Sequence, residues 1–403
     1  MVAQVSLWLL KGATIADGTV ADVVLRDGAV LAVGPDVSLL DDATTVDLGG
    51  YLLLPAAVEP HAHLDKAFLA ETIPNPTGEL MGALEAMRAH RHLLTVSETA
   101  DRAERAARLM AANGYVAVRT HADATLDNRL TSIEALVEVR RRLHDVIDIQ
   151  IVALPGFPVT GPVGADQRAL LREALDAGAD IVGGCPHLEH DGRGGIEAAT
   201  DVCLQIATDV GKPVDLHTDE TLDPTANGLD VLARRVLAGF DLGATASHCV
   251  SLGQQPVEQQ RATAERVAAA GIGVVALPQT NLFLQGRGRS PMPRGLTAVD
   301  VLRRGGVTVA AGADNVQDPF NPVGRACPFE TAALMILTAH DLPDVAWHSV
   351  STAARRVIGA PQAAIEPGAP ADLIAVRAAT LREAIAFGPA DRMVWRGGRL
   401  AAR

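Results

Sequence analysis

The chain has 403 residues, of which 48% are hydrophobic and 3% aromatic, and its formal net charge is −13. This length suffices for one large core with a smaller accessory module, and roughly 250 residues would fill an α/β barrel. The negative charge argues against nucleic acid as a partner, because phosphate binding requires clustered cations.

Cysteine usage and hydropathy bear on the cellular compartment. The cysteines show neither Cys-x-x-Cys spacing nor the density of a disulfide-rich secreted protein. The first ten residues lack a basic leader and a small-residue cleavage site, and no stretch of about twenty uninterrupted apolar residues occurs. We therefore predict a cytoplasmic protein with no membrane partner.

Both ends of the chain are rich in β-type residues. Residues 4–50 are predicted to form short strands, and the Asp-Gly steps at 17–18 and 27–28 are typical of hairpins. A similar pattern returns in residues 371–376 and 392–400. Because chain ends often lie close together, we predict one small β-sandwich domain built from both ends.

Between these ends, apolar strand-like runs alternate with helical stretches rich in Ala, Arg, Glu and Leu. One helix is predicted over 98–113, with Ser97 as its N-cap and Gly114 at its end. Apolar strands separated by helices are typical of a covered parallel sheet, and eight strands predict an α/β fold of the (β/α)8 TIM-like barrel type. The predicted strands are 53–63, 116–121, 147–154, 180–185, 214–217, 244–248, 274–277 and 307–311. The predicted domains are a barrel over 55–363 and a β-sandwich from 1–54 and 364–403.

Polar residues fall at the C-terminal ends of these strands, where barrel enzymes place their chemistry. The first strand ends in Glu59-Pro-His-Ala-His-Leu-Asp. Alternate residues of a strand point the same way, so His61 and His63 can share a cation. A single pair of this kind is more often structural, and later strand ends decide between the two interpretations.

Three later strands also end in ligand-type residues. The fifth carries His217 at the rim with Glu220 three residues on, the sixth offers His248, and the eighth offers Asp314. Imidazoles with an acid nearby are the makeup of a catalytic divalent-metal site with an open position. Each histidine alone is compatible with a structural role, but ligand-type residues at four strand ends predict a metal site.

At this point the sequence resembles the amidohydrolase superfamily and, within it, the cytosine deaminase group. The matching stretches follow the family order over nearly the whole barrel: Glu59-Pro-His-Ala-His-Leu-Asp, Arg119-Thr-His-Ala-Asp, Asp148-Ile-Gln-Ile-Val-Ala, Gly178-Ala-Asp-Ile-Val-Gly-Gly, His217-Thr-Asp-Glu, Ala246-Ser-His and Gly312-Ala-Asp-Asn-Val-Gln-Asp-Pro. The resemblance implies that His61, His63, His217 and Asp314 are metal ligands. It also implies that Glu220, His248 and Asp314 are catalytic.

The lysines bear on the number of metal ions. Two-metal members of the superfamily bridge their ions with a carbamylated lysine on the fourth strand, but residues 180–185 contain no lysine. Lys66 lies after the first strand and Lys212 before the fifth. The resemblance therefore implies one divalent ion, Zn²⁺ or Fe²⁺, since imidazole and carboxylate ligands suit either.

The implied function is hydrolytic deamination of a small nitrogen heterocycle, a cytosine-like or related aminopyrimidine. Bound metal lowers the pKa of water from 15.7 to roughly 7, and the hydroxide would attack an amidine-like ring carbon. His248 and Asp314 would orient and deprotonate the water. Glu220 would protonate the ring nitrogen and then the departing amine.

Two positions depart from the cytosine deaminase pattern. A glutamine there follows the proline that ends the third strand, and a second aspartate follows the metal-binding aspartate; this chain has Gly156 and Asn315. Buried mismatches of this kind cost about 1–3 kcal/mol each, so the substrate ring is left open. The candidate substrate-binding residues are Gly156, Phe157, His187, Gln285, Asn315 and Phe320. The two phenylalanines are equally compatible with packing.

Other functions compete with deamination. Lys66 and Ala313-Asp-Asn resemble the N-isopropylammelide amidohydrolase branch, which removes an alkylamine from an aminotriazine. Cyclic-amide hydrolysis is disfavoured by Glu220 and by the missing fourth-strand lysine. A non-catalytic metal-binding scaffold is disfavoured by the complete ligand set. The partner is predicted to be a small heterocyclic substrate, and the sequence allows a homo-oligomer without indicating one.

Overall fold

The computed structural model describes residues 7–35, 37, 42–189 and 195–403. Its strands are β1 Leu7–Thr14, β2 Val20–Arg26, β3 Ala29–Gly34, β4 Thr44–Asp47, β5 Leu52–Pro55, β6 Ala57–Ala62, β7 Tyr115–Ala124, β8 Asp148–Pro155, β9 Ile181–Gly184, β10 Val214–Thr218, β11 Ala244–His248, β12 Gly273–Ala276, β13 Val309–Ala311, β14 Leu373–Val376, β15 Arg392–Arg396 and β16 Arg399–Ala402. Its α-helices are α1 Leu80–His90, α2 Val96–Asn113, α3 Thr131–Arg142, α4 Ala165–Asp176, α5 Gly195–Val210, α6 Gly228–Leu237, α7 Val257–Ala269, α8 Pro278–Leu284, α9 Val299–Arg304, α10 Pro328–Ala339, α11 Pro343–Val350, α12 Thr352–Ile358 and α13 Leu381–Phe387.

Strands β6 to β13 form one parallel sheet in which each strand pairs with its sequence neighbours. All ten residues of β7 and all five of β10 are buried, as expected for strands covered on both faces. The sheet curls until its ends meet: the Asp314 N–H donates to the His61 carbonyl at 3.1 Å, and the His63 N–H donates to the Asp314 carbonyl at 3.3 Å. The predicted (β/α)8 TIM-like barrel is confirmed.

Helix α2 shows how local chemistry sets the bounds of an element. It begins at Val96, and the Thr95 hydroxyl caps it by accepting the Glu98 N–H at 3.3 Å. The prediction of Ser97 as N-cap was wrong, because the threonine two residues earlier offers the same kind of oxygen in extended backbone. The helix ends as predicted at Gly114, whose φ of 111° lies in the left-handed region that glycine tolerates.

The strands from both chain ends form a separate mixed sheet. Its strand order is β16-β15-β14-β5-β1-β2-β3, with β4 pairing β1. Strand β5 pairs antiparallel with β14 and so joins the two ends of the chain. Side chains such as Leu10, Leu25, Leu53 and Trp395 pack into a core of their own. The predicted small β domain from both termini is confirmed, and all of its strands belong to one hydrogen-bonded sheet.

Within the described ranges, no helix combines the length and apolar character needed to cross a membrane.

Candidate active site

The four predicted metal ligands converge at the C-terminal mouth of the barrel. Nε2 of His63 lies 3.3 Å from Nε2 of His217. One oxygen of Asp314 lies 3.6 Å from Nε2 of His61 and 3.3 Å from Nε2 of His63. The barrel therefore brings together side chains that are up to 253 residues apart in the chain, counting from 61 to 314.

The free atoms of this cluster fit a metal ion. His61 Nε2 and both Asp314 oxygens are buried and have no hydrogen-bond partner among the described residues. Ligand atoms about 2.1 Å from a tetrahedral centre are roughly 3.4 Å from one another, close to the separations found here. His61 also forms groups of suitable spacing with His63 and His217, and with His248 and Asp314. The residues present could hold one divalent cation.

The electrostatics favour the same conclusion. Burial, reinforced by neighbouring imidazoles and by Lys66, lowers the pKa of His61, His63 and His217 well below the ordinary value, so these rings are neutral and keep a lone pair. Burial, with Glu220 nearby, raises the pKa of Asp314 well above its usual range. Neutral imidazoles around a carboxylate without a counter-charge are a ligand set that a cation would stabilise.

Local backbone geometry positions two of these residues. His248 and Asp314 adopt φ values of 69° and 64°, a left-handed conformation that is uncommon outside glycine and clusters at functional sites. The buried Glu59 carboxylate accepts the N–H groups of His61 at 3.2 Å and Ala313 at 3.0 Å. Glu59 therefore ties the first and last barrel strands together next to the cluster.

Glu220 is a buried acid beside the cluster, and its Oε1 lies 3.5 Å from His248 Nδ1. Burial alone raises the pKa of Glu220 to about 8, so its carboxyl group keeps a proton at neutral pH. Its Oε1 accepts a hydrogen bond from Asn281 Nδ2 at 3.2 Å, and the same Nδ2 lies 3.0 Å from His248 Nδ1. Sequence reasoning missed Asn281, which belongs to no quoted motif; its only signal was that it follows the seventh predicted strand.

Three of the six predicted substrate-binding residues line an inner cavity of about 60 Å³ next to the cluster, namely His187, Asn315 and Phe320. His187 Nδ1 lies 3.0 Å from the His217 carbonyl and donates to it, which leaves its buried Nε2 without a partner among the described residues. Burial lowers the pKa of His187 to about 4, so this ring presents an acceptor. Asn315 Nδ2 donates to Asp318 at 2.7 Å.

The other three predicted substrate-binding residues line two outer cavities of about 550 and 440 Å³. Phe157, which is 36% exposed, borders both. Gln285 borders the first, and Gly156 borders the second. Leu188 contributes to the walls of all three cavities. The predicted pocket residues thus form an inner set and an outer set, and His187 of the inner set also borders the larger outer cavity.

Sequence reasoning also missed a charged group in the inner wall. Lys66 Nζ donates to Asp123 at 2.7 Å, and Arg91 Nε lies 3.0 Å from the other Asp123 oxygen. Burial opposes ionisation of Asp123, but the two cations outweigh it and lower its pKa to about 2. Asp123 ends the quoted motif of the second strand, and that strand-end position was the available signal.

Comparisons with known proteins agree with this fold and site. The amidohydrolase family model matches residues 69–402, so the chain belongs to the amidohydrolase family. The predicted resemblance and the prediction of an amidohydrolase enzyme are confirmed.

Several relatives cover nearly the whole chain. Pterin deaminase from Rhizobium rhizogenes is 34% identical over 392 residues, which are 95% of this chain and 88% of that protein. The structure of 5-methylcytosine deaminase from Klebsiella pneumoniae with 5-fluorocytosine superposes with a TM-score of 0.86 at 28% identity, covering 97% of this chain and 96% of that one. N-isopropylammelide isopropylaminohydrolase from Burkholderia multivorans superposes with a TM-score of 0.85 at 28% identity, covering 99% and 98%.

Proposed function

We propose that this chain is a metal-dependent hydrolytic deaminase of a fused bicyclic aminopyrimidine of the pterin class. The observation that carries the proposal is a carboxyl group that stays protonated at neutral pH, Glu220, beside a buried imidazole and carboxylate cluster that fits a cation. Deamination of an amidine needs an activated water and an acid for the ring nitrogen, and both needs can be met here.

The bicyclic substrate class is supported by the cavities and by one relative. The inner cavity is small, and the outer cavities share its walls at Leu188, so a second ring could extend past that side chain. Gly156 adds no side chain to the outer wall. A Cβ at this position would stand only 2.9 Å from Gln167 Oε1, so the close packing favours glycine here. The relative with 34% identity carries the name pterin deaminase.

Four side chains would hold the metal ion: His61, His63, His217 and Asp314. A bound Zn²⁺ or Fe²⁺ would lower the pKa of a water molecule from 15.7 to roughly 7. Either metal suits three imidazoles and one carboxylate.

The chain's own groups would then move the protons. Asn281 Nδ2 donates to His248 Nδ1, so the neutral His248 ring carries its proton on Nε2 and can only donate from there. His248 would orient the attacking water, and Asp314, whose buried side chain lies beside His61 and His63, would accept its proton. This divides between two residues the roles that the sequence assigned to both.

Glu220 would deliver the second proton. Its carboxyl group donates to the ring nitrogen next to the attacked carbon. Its carboxylate then takes the proton of the hydroxyl group that the attack left on that carbon and passes it to the amino group, and the proton that Asp314 took from the water returns to Glu220 at the end of the cycle. The carbon–nitrogen bond breaks, ammonia leaves, and the water oxygen remains as the ring carbonyl. His187 Nε2, an acceptor in the same cavity, would select a ring edge that carries an N–H group.

A second candidate, removal of an alkylamine from an aminotriazine, is favoured by one observation. Lys66, the residue that resembles the N-isopropylammelide branch, lies in the inner cavity as an ion pair with Asp123. The two functions differ in their leaving group, which is ammonia in one case and an alkylamine in the other.

Amine release separates these functions. The protein would be loaded with Zn²⁺ or Fe²⁺, its metal content verified, and pterin, cytosine, 5-methylcytosine and N-isopropylammelide supplied in turn. We expect the highest kcat/KM with pterin and release of ammonia. Faster release of isopropylamine from the triazine would favour the second candidate, faster turnover of cytosine would overturn the bicyclic assignment, and no amine from any compound would overturn the deaminase.

A further inference from the structure

A chain of buried hydrogen bonds runs beneath the predicted metal ligands. His61 Nδ1 lies 2.9 Å from the Ser247 hydroxyl, which lies 3.2 Å from Asp215 Oδ1, and Asp215 Oδ2 accepts from Arg119 Nη1 at 2.8 Å. We infer that Ser247 and Asp215 are positioning residues that hold His61 in the tautomer whose Nε2 lone pair faces the metal site. This inference rests on the proposed metal site and not on the substrate.

The direction of each hydrogen bond follows from the anchor at the far end. Arg119 is permanently charged and can only donate, so it pairs with Asp215 as an acceptor. Asp215 Oδ1 in turn accepts the single proton of the Ser247 hydroxyl. Ser247 then faces His61 with a lone pair, and the proton between them must belong to His61 Nδ1. A neutral imidazole with its proton on Nδ1 has its lone pair on Nε2.

Among the described residues, this chain supplies the side-chain hydrogen bond to His61 Nδ1. His61, Ser247 and Asp215 are each 0% exposed, so bulk water cannot replace the Ser247 hydroxyl as the partner of His61 Nδ1. The His121 ring stacks on His61 at 3.9 Å between centroids but makes no hydrogen bond to it. Packing therefore limits the tilt of His61, while the hydrogen bond alone sets which nitrogen is free.

The neighbouring ligand is held differently. His63 Nδ1 lies 3.1 Å from the His121 backbone carbonyl and donates to it. Lys66 Nζ lies farther from that nitrogen, at 3.3 Å, and is paired with Asp123. A backbone carbonyl cannot be removed by substitution, whereas the Ser247 hydroxyl can. The orientation of His61 can therefore be tested by substituting its hydrogen-bond partner.

The test is the affinity of the whole protein for Zn²⁺, measured by competition with a chromogenic chelator. Partners of metal-binding histidines typically contribute 10–100-fold in affinity, so we expect Ser247→Ala to weaken binding by about that factor. Ser247→Thr keeps the hydroxyl and should restore most of the affinity. Ser251→Ala is the matched control, since Ser251 is also buried but donates to the Ala226 carbonyl.

Asp215→Asn provides a second variant of nearly unchanged volume. With its oxygen on Arg119, the new amide would donate to Ser247, which would turn the hydroxyl proton toward His61 and place the imidazole proton on Nε2. We expect this variant to lose at least as much affinity for Zn²⁺ as Ser247→Ala does. Its unfolding midpoint in urea should show that the variant is folded.

The outcomes separate the two proposals. If the wild-type protein binds no Zn²⁺, the metal site itself fails. If it does bind, and a folded Ser247→Ala or Asp215→Asn protein binds equally well, only the positioning role is wrong. Equal losses in Ser247→Ala and Ser251→Ala would also overturn that role, because they would point to packing.

Discussion

The floor of the pocket and its outer cavities are built in contrasting ways. On the floor, His61, His248 and Asp314 have buried polar atoms with no hydrogen-bond partner in the part of the chain that the structure describes, a costly arrangement that the barrel strands hold in place. In the outer cavities, Phe157 is partly exposed and Gln285 donates to the Glu220 carbonyl at 3.2 Å. On the proposed function, we assign the chemistry to the floor and the selection of the substrate to the outer walls. Substitutions in the floor should therefore act on metal content and kcat, and substitutions outside on KM.

The largest effect is expected for Asp314→Ala. It removes the only carboxylate of the proposed ligand set and the proposed base for water. We expect the purified protein to lose nearly all bound metal, as measured by elemental analysis, and deamination to fall to the detection limit. A variant that retains both stoichiometric metal and activity would show that the floor is not the catalytic region.

Glu220→Gln should separate acid catalysis from metal binding. Loss of a general acid typically lowers kcat by about 10²–10⁴-fold, and we expect that loss with metal content unchanged. Glu79→Gln, which alters an exposed acid in the outer wall, is the matched control.

The pH profile of the wild-type protein tests the same group. Because burial raises the pKa of Glu220 to about 8, the carboxyl group loses its proton as pH rises through that value. kcat/KM should therefore decline at alkaline pH, with an apparent pKa of about 8. An activity that keeps rising at higher pH would contradict the assignment of Glu220 as the acid.

Asn315→Asp should destabilise the fold in a pH-dependent way. Asn315 donates to Asp318 at 2.7 Å, and burial raises the pKa of Asp318 to about 7. A second carboxyl group there must share a proton, so we expect a loss of about 1–3 kcal/mol in the free energy of unfolding. Carboxyl groups with a raised pKa bind more protons in the folded state, so the loss should be greater at pH 8 than at pH 6.

Urea unfolding at the two pH values measures this effect. Asn128→Asp is the control, because the amide of this buried asparagine faces the Ser132 hydroxyl. Equal pH dependence in both variants would argue against coupling between positions 315 and 318.

The smallest effect is expected for Phe157→Ala in the outer wall. Removing the aromatic ring of this partly exposed residue should weaken substrate binding by about 1 kcal/mol, which is roughly a fivefold rise in KM for a bicyclic substrate. kcat and the KM of cytosine should stay near their wild-type values. A fall in kcat without a rise in KM would break the division between floor and outer wall. Val163→Ala, an exposed apolar position, serves as control.

The fold and the convergence of the ligands could be predicted because they depend on sequence periodicity. Parallel strands bring their C-terminal ends to one mouth, so His217 and Asp314 could be grouped with His61 from position along the strands alone. The Asp-Gly steps at 17–18 and 27–28 likewise allowed the hairpins β1–β2 and β2–β3 to be predicted.

Contacts between side chains from different strands could not be predicted. The approach of Asn281 to both Glu220 and His248 depends on how α8 packs over the mouth, which no local pattern encodes. Ser247 lies inside a quoted motif and Asp215 lies two residues before another, but their pairing depends on the register of β10 against β11. The division of the predicted pocket residues into inner and outer sets likewise depends on loop paths.

The bond between Glu59 and the Ala313 N–H spans 254 positions of the chain and joins the first barrel strand to the last. During synthesis the histidines of β6 leave the ribosome long before Asp314 exists, so a nascent chain cannot assemble the complete ligand set. On the proposed assignment, the four-residue ligand set is complete only after the last barrel strand has been made. We therefore expect a product truncated before residue 312 to bind Zn²⁺ more weakly than the full chain, through His61, His63 and His217 at most.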